Sequence, residues 1–182
     1  MVGLGSPAPE FRLRSVRGYT IALSDFSHAH ALLVVFLSNH CPYVRHIERG
    51  LAHVTAHYAG LGLATVGICS NDTARYPDDS ARSLAEQATR AAFHFPYLVD
   101  ETQEVAKAYR AACTPDFFLY GTDRRLAYRG EMDGARPSNH VPNDGRMLGA
   151  AIELVLDSKP VPEPHKPSIG CSIKWKPENE PA

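Results

Sequence analysis

Apolar positions along the chain change their period several times, and each change predicts an element. Ala31 to Leu37 reads A-L-L-V-V-F-L, a continuous apolar run that predicts a parallel strand buried on both faces. Beyond the Ser38-Asn39-His40 turn, Val44, Ile47, Leu51, Val54 and Tyr58 recur at spacings of three and four. That is one face of an amphipathic helix opening at Pro42 and ending at Gly60. Leu61 to Cys69 predicts a second apolar strand, followed by a polar loop through Tyr76-Pro77. Ser80 to Phe93 reads as a helix rich in alanine, and Phe95 to Val99 as a short strand. Asp100-Glu101-Thr102 puts acidic side chains at the start of a further helix, with Val105, Ala106 and Tyr109 turned inward. Asp116 to Tyr120 and Arg125 to Arg129 flank a Gly121–Arg124 turn as a hairpin, and Leu148, Ala151, Ile152 and Val155 mark a last helix. Near the N-terminus, Phe11, Leu13, Tyr19, Ile21 and Leu23 alternate around Arg17-Gly18 as a small hairpin.

This order predicts an α/β fold, a central mixed sheet flanked by helices, with parallel strands first and an antiparallel pair last. Chemistry in such a sheet gathers at the carboxyl ends of the parallel strands. Cys41 and Cys69 each follow one of those ends. An antiparallel strand at Asp116 would start at the same rim and bring Cys113 there. From Ser158 onward the composition shifts, with six of the fourteen prolines in the last 25 residues. The expected organisation is one domain over 1–158 and a proline-rich tail over 159–182 that packs on it.

Composition narrows the function classes. The net charge of −1, from 19 basic and 20 acidic side chains, gives no electrostatic handle for nucleic acid or an anionic membrane. Met1 to Arg12 has no apolar core of the kind a signal peptide needs, and no apolar run approaches the ~20 residues of a membrane span. The four cysteines are scattered rather than spaced as a disulfide scaffold, which predicts a cytoplasmic protein whose disulfides are transient and catalytic.

Cys41 is the candidate for that chemistry. It stands directly before Pro42, whose fixed φ and missing amide hydrogen suit the first helical position, so the thiol meets the unpaired amides and positive dipole end of a helix. A thiol with pKa ~8.5 is about 3% ionised at pH 7, whereas one lowered to ~6.5 is roughly 75% ionised. Arg45, one turn on, and His40 could push the same way. A merely structural cysteine would more naturally fall within Leu32 to Leu37 than just past its end.

These residues resemble the thioredoxin-like superfamily. Cys41-Pro42-Tyr43-Val44 is similar to the glutaredoxin-type C-P-Y-C motif with its second cysteine replaced. Thr114-Pro115 resembles the cis-proline loop that in this superfamily faces the active cysteine and holds extended substrate backbone. S-N-H-C-P-Y-V, F-P-Y-L-V-D-E-T-Q-E-V-A-K-A-Y, C-T-P-D-F-F-L and P-S-I-G-C-S-I-K-W-K-P-E-N-E-P together resemble a bacterial peroxiredoxin-like redoxin subgroup, relatives of alkyl hydroperoxide reductase and thiol-specific antioxidant. The match to the peroxiredoxin P-x-x-x-T-x-x-C pattern is partial. Ser38 stands three before Cys41, Val34 takes the place of the proline, and Arg129 and Arg110 are the candidates for its arginine.

The resemblance implies a thiol-dependent oxidoreductase without a bound cofactor or metal. Cys41 attacks a disulfide or hydroperoxide, Pro42, Tyr43, Thr114 and Pro115 line the substrate groove, and a thiol reductant such as thioredoxin or a low-molecular-weight thiol supplies electrons. Val44 cannot resolve an oxidised Cys41, so a second thiol is needed: Cys171 in the tail is the favoured candidate, because the tail is long enough to fold back over the rim, with Cys113, Cys69 or an external thiol as the alternatives. The competing class is a non-catalytic module that binds a partner peptide at the Pro115 groove. An oligomer is compatible with either. His53 and His57 at i, i+4 lack a glutamate between them and a third ligand. Asn71, Asp72, Asp78 and Asp79 either orient substrate or cap turns, and Trp175 reads as an anchor for the tail.

Overall fold

A computed structural model of the protein describes residues 2–181; Met1 and Ala182, the outer bounds of the two expected segments, lie outside the described residues. Seven strands form one mixed sheet in the order β2-β1-β5-β4-β3-β7-β8. Its centre is β3 (Ala31–Phe36), parallel to β4 (Leu63–Cys69) and antiparallel to β7 (Asp116–Tyr120). β5 (Tyr97–Val99) extends the sheet parallel to β4, and β8 (Leu126–Gly130) closes the hairpin with β7. The N-terminal hairpin, β1 (Arg12–Ser15) and β2 (Thr20–Ala22), sits at the far edge, where β1 pairs antiparallel with β5. This is the central mixed sheet flanked by helices of a thioredoxin-like fold.

Every residue of β3 is buried, because both faces of the sheet are covered. Leu33, Val35 and Leu37 meet the inward stripe of α1 (Pro42–Ala59), where Val44, Ile47, Leu51, Val54 and Tyr58 are all buried as their spacing predicts. The same layer holds α2 (Ala81–Ala91) and α4 (Arg146–Leu156), and the Tyr58 hydroxyl donates to Glu153 across the α1–α4 contact at 2.7 Å. Leu32, Val34 and Phe36 face the opposite layer with α3 (Glu104–Tyr109), whose Val105, Ala106 and Tyr109 are buried. Burial of such side chains, about 1.5–3 kcal/mol each, is what holds the layers to the sheet.

Boundaries differ from the sequence expectations where backbone geometry intervenes. β4 begins at Leu63 rather than Leu61, since Gly62 adopts φ +107° and Leu61 is exposed. α2 stops at Ala91 because Ala92 turns left-handed with φ 58°. α3 starts only at Glu104; Asp100 lies before it, buried, and accepts from the Ala106 amide and the Ser70 hydroxyl. The tail is not merely laid on the surface. Its β9 (Cys171–Ser172) forms a separate two-stranded antiparallel ladder with β6 (Cys113–Thr114), and Ile173 is buried beside Trp175 against the α3 layer. Among the described residues, no helix is long and apolar enough to cross a membrane.

Candidate redox site

β3 delivers the chain to the Ser38-Asn39-His40 turn, and Pro42 then starts α1 with Cys41 as its N-cap residue in extended conformation. Such a position directs a side chain toward amides that no helical carbonyl satisfies. The turn is fixed by Asp79, a fully buried residue at the end of a short 3₁₀ turn (Pro77–Asp79). Its carboxyl accepts from the Asn39 amide at 2.6 Å, from the Ser38 hydroxyl at 3.1 Å and from Asn71 Nδ2 at 2.8 Å, and lies 2.6 Å from His40 Nδ1. Gln87, also fully buried, donates to the Ser38 carbonyl, and its own amide oxygen accepts from Tyr97. A turn whose polar groups are so completely paired is rigid.

The thiol of Cys41 is 0% exposed and donates to the Thr114 carbonyl at 3.1 Å. The Thr114–Pro115 bond is cis, as the motif implies, and places this carbonyl against the sulfur. The other side of Thr114 belongs to the tail, where Thr114 pairs with Cys171 and Cys113 with Ser172. Cys171 is thereby brought beside Cys41, since the residue it pairs with in the ladder is the one whose carbonyl accepts from the Cys41 thiol. Burial first, then the Cys41 contact and charge, push the Cys171 thiol up to about 11, with Lys174 and the Tyr43 amide opposing. Two sulfurs thus share one helix N-terminus.

Cys113 is close enough to feel both of them. Burial and the Asp116 carboxyl push its thiol up to about 12 against the pull of Arg129, and it donates to the Pro115 carbonyl at 3.4 Å. Cys69 does not join this group as the rim argument expected. It is buried at the end of β4, where burial, with Asp79 and Asp100 as its acidic neighbours, holds its thiol far above the ordinary range.

The expected activating side chains are engaged elsewhere. Arg45 Nε donates to the Asn39 carbonyl at 2.7 Å, and His40 holds Asp79 while its ring stacks on Tyr76. Both are bonded within the turn that presents the sulfur. Ser38, at the place of the peroxiredoxin threonine, likewise gives its hydroxyl to Asp79. Arg129 is ion-paired with Asp116 at 2.8 Å and lies over the Phe118 ring, so it serves the sheet edge; the Arg110 carbonyl accepts from it. Asp79 and Gln87 were not legible as anchors of this turn, since they act across 40 and 49 residues of chain. Among the described residues, no cluster of three or more histidine, cysteine and acidic side chains could hold a metal ion.

The family model described as the AhpC/TSA family matches residues 4–129, a span that includes Cys41, Cys113 and Pro115. The chain belongs to the AhpC/TSA family. Two solved structures resemble this AhpC/TSA chain over nearly its full length. A hypothetical protein from Sinorhizobium meliloti is 45% identical with a TM-score of 0.95, covering 97% of both chains. An uncharacterized conserved protein from Geobacillus kaustophilus is 46% identical with a TM-score of 0.94, covering 97% of this chain and 94% of the other. More distant solved structures include a peroxidoxin from Mycobacterium tuberculosis, 18% identical, covering 87% and 98% with a TM-score of 0.64. A thiol:disulfide interchange protein from Chlorobium tepidum, 15% identical, covers 86% and 99% with a TM-score of 0.65. At those identities the likeness concerns the fold. Among curated proteins, none matches the chain.

Proposed function

We propose that the protein is a thiol-dependent oxidoreductase in which Cys41 and Cys171 cycle between dithiol and disulfide. The carrying observation is the β6–β9 ladder, which pairs Cys171 with Thr114, the residue whose carbonyl accepts from the Cys41 thiol at the start of α1. Cys41 is the sulfur that attacks a hydroperoxide. Its thiolate takes the distal oxygen and releases an alcohol or water, giving a sulfenic acid; the Cys171 thiol then forms the disulfide and water leaves. With a disulfide substrate, one thiol of the pair forms a mixed disulfide and expels one thiol, and the other thiol of the pair expels the second. Either route leaves the same Cys41–Cys171 bond, which a thiol reductant opens. No bound cofactor takes part in this chemistry, and a cytoplasmic setting fits a disulfide that exists only in passing.

Cys113 is the weaker candidate for the resolving thiol, because its sulfur is turned to the Pro115 carbonyl. The binding-module reading is disfavoured by a specific fact: the chain's own tail already lies along the Thr114-Pro115 edge where a partner peptide would dock. Peptide mapping after limiting hydrogen peroxide, and separately after a small disulfide, tests the proposal. The expected product is a Cys41–Cys171 linkage, lost in Cys171→Ser and kept in Cys113→Ser. A protein that resists both oxidants, or links Cys41 to Cys113, overturns it.

A further inference from the structure

We infer that this site exchanges with low-molecular-weight thiols and disulfides, which meet the protein at the Cys171 sulfur, and that extended polypeptides are shut out. The inference rests on the Cys41–Cys171 pair proposed above. Its ground is the way the chain fills its own docking edge. A polypeptide that binds by strand addition needs free main-chain donors and acceptors along an edge. Here the edge before Pro115 is β6, and Cys171 and Ser172 already pair with it residue for residue.

The fit is too close to share. A Cβ on Gly170 would stand 2.0 Å from the Thr114 carbonyl oxygen and 3.1 Å from the Pro115 nitrogen, so the strap's backbone lies directly on the cis-proline loop. Nor does the strap hang loose. Upstream, the Glu131 amide donates to the Lys166 carbonyl and the Ser168 hydroxyl to the Gly130 carbonyl. Downstream, the Asp72 amide and Gln103 Nε2 both donate to the Lys174 carbonyl, the Lys176 amide donates to Gln103, and Ile173 is 3% exposed. Lifting the strap requires breaking both clamps.

Access then separates the two sulfurs. Cys41 lies fully buried beneath the strap, whereas Cys171, on the strap, is partly exposed. In the reductive half-reaction a small thiolate bonds to Cys171, the Cys41–Cys171 bond breaks, and its electron pair leaves on Cys41 with the proton the small thiol gave up. A second thiolate takes the small sulfur from Cys171 as a symmetrical disulfide, and Cys171 is reprotonated.

The test uses the full chain as Cys41→Ser and Cys171→Ser variants, each mixed with glutathione disulfide and mapped by mass spectrometry over time. Cys171 in the first is expected to be glutathionylated at least tenfold faster than Cys41 in the second; equal or reversed rates overturn the inference. These variants read the point of attack even if no Cys41–Cys171 bond forms, which would sink only the proposed cycle. On the oxidised wild type, glutathione and reduced thioredoxin are compared at equal thiol concentration, and faster reduction by thioredoxin overturns the small-thiol assignment. Gly170→Val, checked for an unchanged circular dichroism spectrum, is expected to raise alkylation of Cys41 at least tenfold; if folded and unchanged in reactivity, it too counts against the strap.

Discussion

The turn that presents Cys41 and the strap that presents Cys171 lie against each other but are held by different means. Side chains hold the turn, converging on it from Asp79, Gln87 and Arg45, with the Asp79 carboxyl at the centre. The strap is held mainly through its own backbone, by ladder bonds to β6 and by amides and carbonyls that meet Asn71, Asp72 and Gln103. Asn71 joins the two systems, donating to Asp79 and accepting from the Lys174 amide. A buried side-chain hub fails all at once when its centre is removed, whereas a distributed set of main-chain bonds loosens piece by piece.

The largest effect is therefore expected at the turn. Asp79→Ala strands several donors in a site closed to water, at a cost of about 3–5 kcal/mol. Urea unfolding should show that loss as a lowered midpoint, and the disulfide cycle should fail with it. A loss below about 1 kcal/mol would show that the turn does not depend on its hub. A smaller effect is expected at the strap. Ile173→Ala removes a buried side chain at a cost of about 2–4 kcal/mol, and hydrogen exchange should localise the loosening to the amides of Lys174 and Lys176 while β3 stays protected. Uniform loss of protection would erase the distinction between the two regions.

The smallest effect is one of pH. The Cys171 and Cys113 thiols are raised to about 11 and about 12 in the folded protein, against ~8.5 for a free thiol. Above the free-thiol value the unfolded chain sheds these protons while the fold still keeps them. Their contribution to stability is complete below pH ~8.5 and declines as pH rises toward about 11 and then about 12. Urea midpoints at pH 7 and pH 10 should differ less in Cys113→Ala than in the wild type, by on the order of 1 kcal/mol. A difference of the opposite sign would mean that Cys113 is not the buried, proton-retaining thiol described.

Legibility in the sequence followed the range of the interactions. The apolar run of β3, the period of α1 and the placing of Cys41 before Pro42 are local facts, and the structure follows them closely. The cis Thr114–Pro115 bond was legible through resemblance, since nothing in the neighbouring residues distinguishes it from other prolines. The two-residue strands β6 and β9 carry no periodicity at all, so their pairing could be approached only through the reach of the tail and the need for a second thiol. Asp79 looked like one of several turn-capping acids, and its role depends on a turn some forty residues earlier. Arg45 and His40 were in the expected neighbourhood, but their hydrogen-bond partners are fixed by the folded turn and not by spacing.

Clamping the strap at both ends also changes the kinetic order of the chemistry. With Cys171 held beside Cys41 by the ladder, its effective concentration there is set by the fold and not by how much protein or free thiol surrounds it. On the proposed cycle, a sulfenic acid at Cys41 meets its partner in a first-order step, while further oxidation must wait for a second oxidant molecule to arrive by diffusion. On that cycle, the stitching of a proline-rich tail into a two-residue ladder is what would protect Cys41 against irreversible oxidation.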